Sequence, residues 1–360
     1  MLDPRLRALL VLSLLGNVVL VVFYYTFSVP ALHAVQKGLN CWDLEAQKAD
    51  YYLDVNMMSL PMYRPQSSEL NVKRARLTNL VMPFHARQEP AVMRNLELWK
   101  HFPPCYLAEE PGTHPNQDYM DSFFARDEHP AGRLGRNVTL TFFVSSEADP
   151  ELEMRVLGAF NALPIRIQKC FSSANVRFSR LSNEDDKYLT GSRKMFEYML
   201  NGWLGLLEPY YALYMEPDCL PVRPNWLMIL DSQTRWPNSP FWIKGSIFRG
   251  DAHAITNRIV YNLFHINGNA LYNLGDPSFR HFYFDMLRPY ITKYYTEGAY
   301  DTDVFKFLLD LGNYNYARQT AHMFQFTDAI QNHWHSNYSI GELKAMSETV
   351  VLVHGGTPNP

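Results

Sequence analysis

Two carboxylates lie two residues apart at the end of an apolar run, in the segment YMEPDCLP. Glu216 and Asp218 flank Pro217, which can neither donate a ladder hydrogen bond nor continue a central strand. If the chain is extended here, the two side chains point to the same face, with their Cα atoms roughly 6.5 to 7 Å apart. Two carboxylates that face the same way repel unless a cation or a proton lies beside them. The pattern is typical of a site for Mg²⁺ or Mn²⁺, and a solvated strand end with a capping Asp is the alternative.

Strand-type and helix-type segments alternate before this motif. The predicted strands are 77–88, 137–146, 174–181 and 210–217, and the predicted helices are 90–102, 150–163 and 193–207. Such alternation predicts an α/β fold whose mostly parallel sheet is covered by helices on both faces. The two carboxylates then follow the fourth strand, at the edge of the sheet where open α/β folds bind their ligands.

The composition limits the classes of function. The chain has 360 residues, 47% of them hydrophobic, which is enough for one or two domains. The net charge is −3 and the charges are spread along the chain, so no basic face follows a phosphate backbone and nucleic acid is not an expected partner. The aromatic content of 14% suits a pocket that stacks on sugars or bases, or simply an aromatic-rich core.

The amino-terminal segment predicts a membrane anchor. Residues 8–29 are apolar, carry no charge and are long enough to cross a bilayer as a helix. Two arginines precede the segment and two tyrosines lie near its far end, which predicts a cytosolic tail and a lumenal remainder. A cleaved signal peptide is the alternative, because small residues follow the apolar stretch. The predicted parts are a cytosolic tail at 1–7, a transmembrane signal-anchor at 8–29, a stem at 30–75 and a lumenal domain at 76–360.

Two further patterns agree with a lumenal location. Asn137 and Asn337 each begin a sequon for N-glycosylation. The four cysteines permit up to two disulfides with three possible pairings, and free buried thiols are the alternative. They are Cys41, Cys105, Cys170 and Cys219. A bridge at Cys219 would fix the backbone directly beside Asp218.

Candidate ligand-binding groups lie between the carboxylate motif and the carboxyl terminus. Lys244 interrupts an aromatic strand and is a candidate to neutralise a phosphate or to bind a sugar, although a lysine is usually solvated. Asn267 and Asn269 offer donors and acceptors for sugar hydroxyls, and Gly268 between them lets the backbone approach a ligand. A turn built on Asn-Gly is the alternative, and a turn and a site are compatible.

At this point the chain resembles the nucleotide-sugar glycosyltransferases of the GT-A fold, which are anchored as type II membrane proteins of the Golgi. The resemblance covers about residues 77–356, and Glu216-Pro217-Asp218 looks like the Asp-x-Asp motif of that superfamily, with Glu in the first place. It implies that Asp218 binds a divalent metal on the diphosphate of the donor. The longer side chain of Glu216 contacts the metal, or else the ribose or a water.

The resemblance assigns further roles. The segment VVLVHGGTP is similar to the carboxy-terminal His-Gly segment of several retaining enzymes of this fold, which makes His354 a third metal ligand in its neutral form. The Lys and Trp that usually follow are absent here, and a strand-end histidine in a flexible tail is the alternative. Pro83, His85 and Arg87 follow the first strand where the nucleotide is expected, and Arg193 heads a helix from which it would reach the phosphates.

The chemistry of such a site gives the acidic pair at the start of another predicted helix a role. Asp301 and Asp303 lie in the segment EGAYDTDVF, where capping of the helix is the alternative. A nucleotide diphosphate is the leaving group, and a metal and cationic side chains stabilise its charge. In an inverting enzyme Asp301 or Asp303 would deprotonate the acceptor hydroxyl. A retaining enzyme could use the leaving phosphate instead.

The sequence therefore predicts a Golgi or ER glycosyltransferase that uses Mn²⁺ or Mg²⁺ and a nucleotide-diphosphate sugar, with UDP-sugars as the expected donors and a glycan or glycoprotein as the acceptor. A catalytically inactive lumenal scaffold of the same fold is one alternative, and the nonstandard Glu216 supports it. A metal-dependent hydrolase of phosphate esters would need a denser cluster of His and Asp ligands than the sequence shows.

Overall fold

The computed structural model describes residues 76–105, 138–205, 211–235, 240–251, 260–295, 298–334, 336–355 and 358–359. The predicted tail, anchor and stem (1–75), together with Asn137 and Cys41, lie outside these residues. Within the described ranges, no helix has both the length and the apolar character that crossing a membrane requires. Contacts divide the chain into two units, and the fold below is that of the larger, Tyr63–Phe307 with Gln319–Pro360. Of the smaller unit the described part is Leu308–Arg318, which contains the 3₁₀ turn Leu311–Asn313.

Twelve strands are found in the described residues. They are β1 (Leu77–Phe84), β2 (Val138–Val144), β3 (Phe171–Phe178), β4 (Tyr211–Tyr214), β5 (Cys219–Pro221), β6 (Ile243–Gly245), β7 (Ala270–Asn273), β8 (Phe324–Phe326), β9 (Ile330–Asn332), β10 (Tyr338–Ser339), β11 (Leu352–His354) and β12 (Pro358–Asn359). Seven of them form one sheet in the order β3-β2-β1-β4-β7-β6-β8. All pairs in this sheet are parallel except those that β7 makes with β4 and β6. The predicted α/β fold with a mostly parallel sheet is thus confirmed.

Helices connect these strands. They are α1 (Glu89–Leu98), α2 (Pro150–Asn161), α3 (Ile165–Gln168), α4 (Thr190–Leu200), α5 (Trp226–Arg235), α6 (Val260–Phe264), α7 (Pro277–His281), α8 (Arg288–Tyr294), α9 (Tyr300–Leu309), α10 (Tyr314–Thr320) and α11 (Ile340–Met346), with a π-helical segment at Phe282–Leu287. Local sequence explains the start of the best-defined ones. The side chain of Asp149 accepts hydrogen bonds from the amides of Glu151 and Leu152 at the start of α2, and Pro90 occupies the first turn of α1.

The central strands separate two cores. Leu213 and Leu271 point to the first core, where they pack with the buried sides of α1, α2 and α5. The next residue of each strand points the other way, so Tyr214 and Tyr272 lie in an aromatic cluster around Phe196. Much of the aromatic content therefore fills a core, which agrees with the simpler of the two interpretations of the composition.

One disulfide cross-links the core that contains Leu213 and Leu271. It joins Cys105, beyond the end of α1, to Cys170, directly before β3. Cys219 is buried with a free thiol. The bridge that would have fixed the backbone at Cys219 is therefore not formed, and other contacts hold that segment.

The sheet places a crevice beside the carboxylate motif. β1 pairs with β2 on one side and with β4 on the other, so the strand order reverses between β1 and β4. The two strands are parallel, and their carboxyl ends meet at the same edge of the sheet. At such a switch point the connections leave in opposite directions and leave room for a ligand. The segments after Phe84 and after Tyr214 form the two sides of this crevice.

Candidate functional site

The segment after β4 is a turn rather than an extended strand. β4 ends at Tyr214, and the backbone N–H of Cys219 donates to the carbonyl of Glu216 at 2.9 Å, which closes a four-residue turn. The expected extension of the strand to Pro217 is therefore wrong. The side chains of Glu216 and Asp218 come together because the chain turns.

A buried side chain of α1 holds this turn from behind. The Nδ2 of Asn95 donates to the carbonyl of Pro217 at 3.1 Å and to that of Cys219 at 2.8 Å. Its Oδ1 accepts from the indole N–H of Trp99 at 2.9 Å. Asn95 has no exposed surface. The two carbonyls and the amide of Asn95 thus satisfy one another in the core, and the turn has a fixed position.

His354 reaches the turn from the small sheet β5-β11-β9. In β11 it lies opposite Cys219 of β5 and opposite Asn332 of β9. Its Nε2 is 3.1 Å from Oε2 of Glu216 and 3.7 Å from Oδ2 of Asp218. Ligand atoms of these three residues lie within 4.8 Å of one another, so the structure brings the three predicted metal-site residues together.

The hydrogen bonds of Asn332 define which nitrogen of His354 faces the carboxylates. The Oδ1 of Asn332 accepts from the backbone N–H of Trp334 at 3.1 Å, which identifies it as the oxygen. The Nδ1 of His354 lies 3.1 Å from the same oxygen and must donate to it. In the neutral ring Nε2 then presents its lone pair to the side on which Glu216 and Asp218 lie, as a metal ligand requires.

The charges of this triad perturb one another. Burial alone would lower the pKa of His354, but the hydrogen bond with Glu216 and the charges of Glu216 and Asp218 raise it above the usual histidine value. Removal from water raises the pKa of Asp218, His354 opposes that rise, and the charge of Glu216 adds to it. Without a cation, a proton on His354 is what balances the two carboxylates.

Asn269 orients Glu216. Its Oδ1 accepts from the backbone N–H of Glu216 at 2.7 Å, and its Nδ2 donates to Oε2 of Glu216 at 3.0 Å. The same Nδ2 and the backbone N–H of Asn269 both donate to Oδ1 of Asn267. Asn269 is buried and does not line the cleft, so its predicted role as a sugar ligand is replaced by one of positioning.

Asp301 is held by three donors at the start of α9. Its two carboxylate oxygens accept from the backbone N–H groups of Gly268 and Thr302, each at 2.8 Å. Nε2 of His265 lies 3.4 Å from Oδ2, while Nδ1 of that ring contacts the carbonyl of Asn262. Burial alone would raise the pKa of Asp301, but the charge and hydrogen bond of His265 and the two amides hold it below the usual aspartate value. Asp301 is therefore a fixed carboxylate rather than a ready base.

The position of Gly268 leaves no room for a side chain. A Cβ at this position would lie 2.0 Å from the hydroxyl oxygen of Tyr300. The absence of a side chain lets the amide of Gly268 approach Asp301, and its carbonyl accepts from the hydroxyl of Tyr272 at 3.0 Å. The Asn-Gly-Asn segment is thus a turn and part of the site at once.

Three predicted site residues have structural roles outside the cleft. Asp303 is fully buried, and its carboxylate accepts from Arg288 and Lys306 at 2.9 and 2.8 Å. Arg193 lies 3.8 Å from Glu197 on the next turn of α4. The cleft is not lined by Asp303, Arg193 or Glu197. The carboxylate of Asp303 is therefore not available to an acceptor, and the guanidinium of Arg193 is not available to a phosphate.

Lys244 is the third such residue. It is buried in β6, its ammonium lies 5.5 Å from the centre of the Phe241 ring, and burial lowers its pKa. It does not line the cleft. The side chain that interrupts the aromatic strand therefore belongs to the interior.

The remaining predicted residues share one cleft of about 750 Å³ at the switch point. These residues are Pro83, His85, Arg87, Glu216, Asp218, Asn267, Asp301 and His354. His85 is fixed there, because its Nδ1 accepts from the backbone N–H of Arg87 at 3.0 Å, and its Nε2 lies 3.2 Å from Oδ2 of Asp186. The hydroxyl of Ser145 donates to the same carboxylate oxygen at 3.0 Å. The ends of β1 and β2 are thus joined through Asp186.

Several residues of the site escape sequence reasoning. Asn95 and Asn332 position the triad, Asp186 positions His85, and His265 faces Asp301. Asn95 carries a signal, because it is a polar residue at an apolar position of a helix, between Val92 and Trp99. Asn332 ends a strand of three residues, too short to show a period, and Asp186 and His265 lie in connecting segments.

No protein-family model and no curated protein matches the sequence. Among solved structures, the chain is similar to the galactosyltransferase LgtC in complex with donor and acceptor sugar analogues, with 12% identity and a TM-score of 0.38 over 77% of this chain and 87% of that one. It is similar to apo mouse xyloside xylosyltransferase 1 with 13% identity and a TM-score of 0.39, over 77% and 97% of the two chains. For the apo bifunctional glycosyltransferase WbbM the values are 8% and 0.39, over 78% and 45%. At these values the similarity adds no argument about activity.

Proposed function

We propose that this chain is a glycosyltransferase that moves a sugar from a nucleotide-diphosphate donor to a glycan or glycoprotein acceptor. The convergence of Glu216, Asp218 and His354 at the switch point of a mostly parallel sheet carries this proposal. Two carboxylates and an imidazole at one point provide the ligands for a divalent cation. The crevice at a switch point is where sheets of this kind bind nucleotides.

The donor atoms of the triad suit Mn²⁺ better than Mg²⁺. Two carboxylates would supply oxygens and His354 would supply Nε2, whose orientation is fixed by Asn332. Mg²⁺ prefers oxygen ligands alone, whereas first-row transition metals also accept imidazole. When bound, the cation would stabilise negative charge on the diphosphate of the donor.

The rest of the cleft accommodates the other parts of a donor. Pro83, His85 and Arg87 line the end of β1, where the nucleoside would lie, and Asn267 and Asp301 line the region around β7 and α9, where the sugar would lie. His85 donates from Nε2 in its neutral form, because its Nδ1 accepts from a backbone amide. The triad lies in the same cleft, where it would meet the diphosphate between these two parts.

Asp301 would stabilise the reacting sugar. Three donors and a lowered pKa keep it ionised and make it a weak base. A fixed carboxylate favours the positive charge that develops on the sugar as its bond to the phosphate breaks. Asp303 is buried and paired, so it provides no other base. This arrangement favours the route in which the leaving phosphate takes the proton of the acceptor.

The position of Glu216 bears on the inactive scaffold. That alternative depended on a Glu in place of the first Asp of the motif. Oε2 of Glu216 lies beside Nε2 of His354 and is held there by Asn269, so the longer side chain still supplies an oxygen to the triad. The membrane anchor and the lumenal location remain part of the proposal on sequence grounds.

Binding of nucleotides to the full chain tests the function. We expect UDP or GDP to bind in the presence of Mn²⁺, and Asp218→Ala to weaken that binding by about a hundredfold, because the cation loses a charged ligand. Calorimetry with and without Mn²⁺ measures the effect. Asp218 is about half exposed, at 52%, so its truncation leaves the core intact.

The matched control is Asp285→Ala, which removes an exposed carboxylate of the π-helical segment away from the cleft. It should leave the affinity unchanged. Absence of binding by both nucleotides in wild type and variants would contradict the proposal and favour the scaffold. An equal loss of nucleotide affinity in Asp218→Ala and Asp285→Ala would show that the loss does not come from the triad.

A further inference from the structure

The cleft is rich in negative charge, and only some of the cations that line it in the described ranges form ion pairs. Four carboxylates line it, and a diphosphate would add more negative charge. These carboxylates belong to Asp186, Glu216, Asp218 and Asp301. The non-histidine cations that line the cleft in the described ranges are Arg87, Lys187 and Lys306. Lys306 is held by the buried Asp303, with Nζ 2.8 Å from its Oδ1.

Lys187 and Arg87 lie in different parts of the cleft. Arg87 follows β1, and its backbone N–H donates to His85, so it belongs to the side on which the nucleoside would lie. Lys187 precedes α4 in a segment of four residues, 186–189, which we call the wall segment. Both side chains are exposed, and neither forms an ion pair in the described part of the chain.

The wall segment connects the two ends of the cleft. At its start, Oδ2 of Asp186 lies 3.2 Å from Nε2 of His85, at the end of β1. At its other end the wall segment enters α4, whose Phe196 stacks on Tyr300, the residue before Asp301, with ring centres 4.3 Å apart. Lys187 and Tyr188 line the same cleft as the triad. Lys187 therefore lies on the wall of the cleft between the end of β1 and the start of α9.

The backbone of the wall segment is held in an unusual conformation. Leu189 has a φ of 71° and a ψ of −54°, in the region that favours glycine. The carbonyl of Lys187 accepts from the N–H of Gly191 at 2.7 Å, and that of Leu189 accepts from Arg193 at 3.1 Å, as α4 begins. Strained residues of this kind persist where the surroundings hold them, often beside a ligand. Here the positive φ of Leu189 turns the chain between Tyr188 and the first residue of α4.

We propose that Lys187 contacts the diphosphate of the donor and balances its charge as it leaves. This inference rests on the proposed function. In the transfer, the acceptor oxygen bonds to the anomeric carbon and its proton passes to the leaving phosphate. The bond from that carbon to the phosphate oxygen breaks, and its electron pair stays on the phosphate. The ammonium of Lys187 gains and loses no proton, and it stabilises the charge that accumulates on the diphosphate.

The test compares binding of two probes, UDP and inorganic pyrophosphate, each with Mn²⁺, to the full chain. Lys187→Gln should weaken both by about tenfold or more, because a charge-assisted hydrogen bond is lost. Lys187→Arg should restore most of the affinity. Lys169→Gln, which changes an exposed lysine before β3 at the opposite edge of the sheet, should change neither.

The outcomes separate this inference from the proposed function. Binding of both probes that is insensitive to Lys187→Gln would overturn the role of Lys187 and leave the proposed function standing. Binding of pyrophosphate alone, weakened by Lys187→Gln, would support the contact with a diphosphate and contradict the use of UDP. If neither probe binds the wild-type chain, the role of Lys187 is overturned, and the proposed function fails with it only if GDP does not bind either.

Discussion

His354 couples the candidate metal site to protons. Its Nδ1 is occupied by Asn332, so Nε2 is the only nitrogen that can take either a proton or a cation. The neighbouring carboxylates raise its pKa despite burial, and in the metal-free chain the protonated ring is favoured at pH values below that raised pKa. A cation must displace this proton. Acid therefore stabilises the metal-free form relative to the metal-bound form.

The pH dependence of nucleotide binding follows from this competition. We expect Mn²⁺-dependent binding of UDP to weaken steadily from about pH 8 to about pH 6, because more of the His354 rings must lose a proton before the cation binds. Calorimetry in buffers of different ionisation enthalpy should detect release of a proton, and His354→Asn should remove that release. Affinity that is constant or rises towards pH 6 would contradict the assignment of Nε2.

Individual residues were predictable where the motif was local. Asp218 and Glu216 were found from their spacing, although for the wrong backbone geometry. Spacing makes Asp301 and Asp303 equal candidates for the catalytic base, yet residues two apart on a helix point in directions that differ by about 200°. Only one of them could face the cleft, and Asp301 does. Arg193 and Lys244 were misplaced because burial and ion pairing depend on distant elements that spacing does not report.

At the scale of elements, α1 holds the turn that carries Glu216 and Asp218. Asn95 joins this helix to the carbonyls on both sides of Asp218, and Trp99 completes the network from the next turn of α1. The turn that carries the carboxylates is therefore fixed to the helix behind it. A ligand site held in this way loses little entropy on binding.

Truncation of Asn95 should affect both stability and binding. Asn95→Ala leaves two buried carbonyls and an indole N–H without partners, and we expect the free energy of unfolding to fall by about 2–3 kcal/mol. Mn²⁺-dependent binding of UDP should weaken as well, because the turn is released. Urea unfolding and calorimetry measure the two effects, and Arg94→Ala, on the exposed side of α1, is the control. A stable variant with normal binding would show that the turn does not need this clamp.

Long elements were predictable and short ones were not. The parallel strands β1 to β4 and the longer helices α1, α2 and α4 follow from periodic apolar patterns, and the buried Val92, Leu96 and Trp99 lie three or four residues apart on one face of α1. The sheet β5-β11-β9 consists of strands of three residues, which are too short to show a period. Its strand pairs join segments far apart in the chain. Asn332, which accepts a hydrogen bond from His354, could therefore not be derived from sequence.

At the scale of the whole molecule, the disulfide is the cross-link that ties α1 to the edge strand β3. Cys105 and Cys170 are 65 residues apart, and the bridge closes a loop that contains β2 and α2. Such bonds persist mainly in oxidising compartments, and the lumenal location stays a prediction. The anchor itself lies outside the described residues and stays a prediction.

Reduction should lower the stability of the whole chain. A bridge over a loop of this size contributes about 2–4 kcal/mol by restricting the unfolded chain. We expect reductant to lower the free energy of unfolding of the wild-type chain by that amount, which lowers its urea midpoint. The double variant Cys105→Ala, Cys170→Ala should unfold near the reduced midpoint and not respond to reductant. A wild-type midpoint that ignores reductant would contradict the bridge.

The contact of His354 with the turn at Glu216 and Asp218 also affects the order in which the site is completed during synthesis of the chain. A ribosome delivers the two carboxylates long before β9 and β11, so a nascent chain carries the acidic turn without its imidazole partner. During that interval the turn lacks the neighbour that compensates its charge, while Asn95 is already present to shape it. If the triad holds a cation as we propose, a chain stalled before β11 lacks His354 and cannot complete that site, so the cation is acquired late in biogenesis.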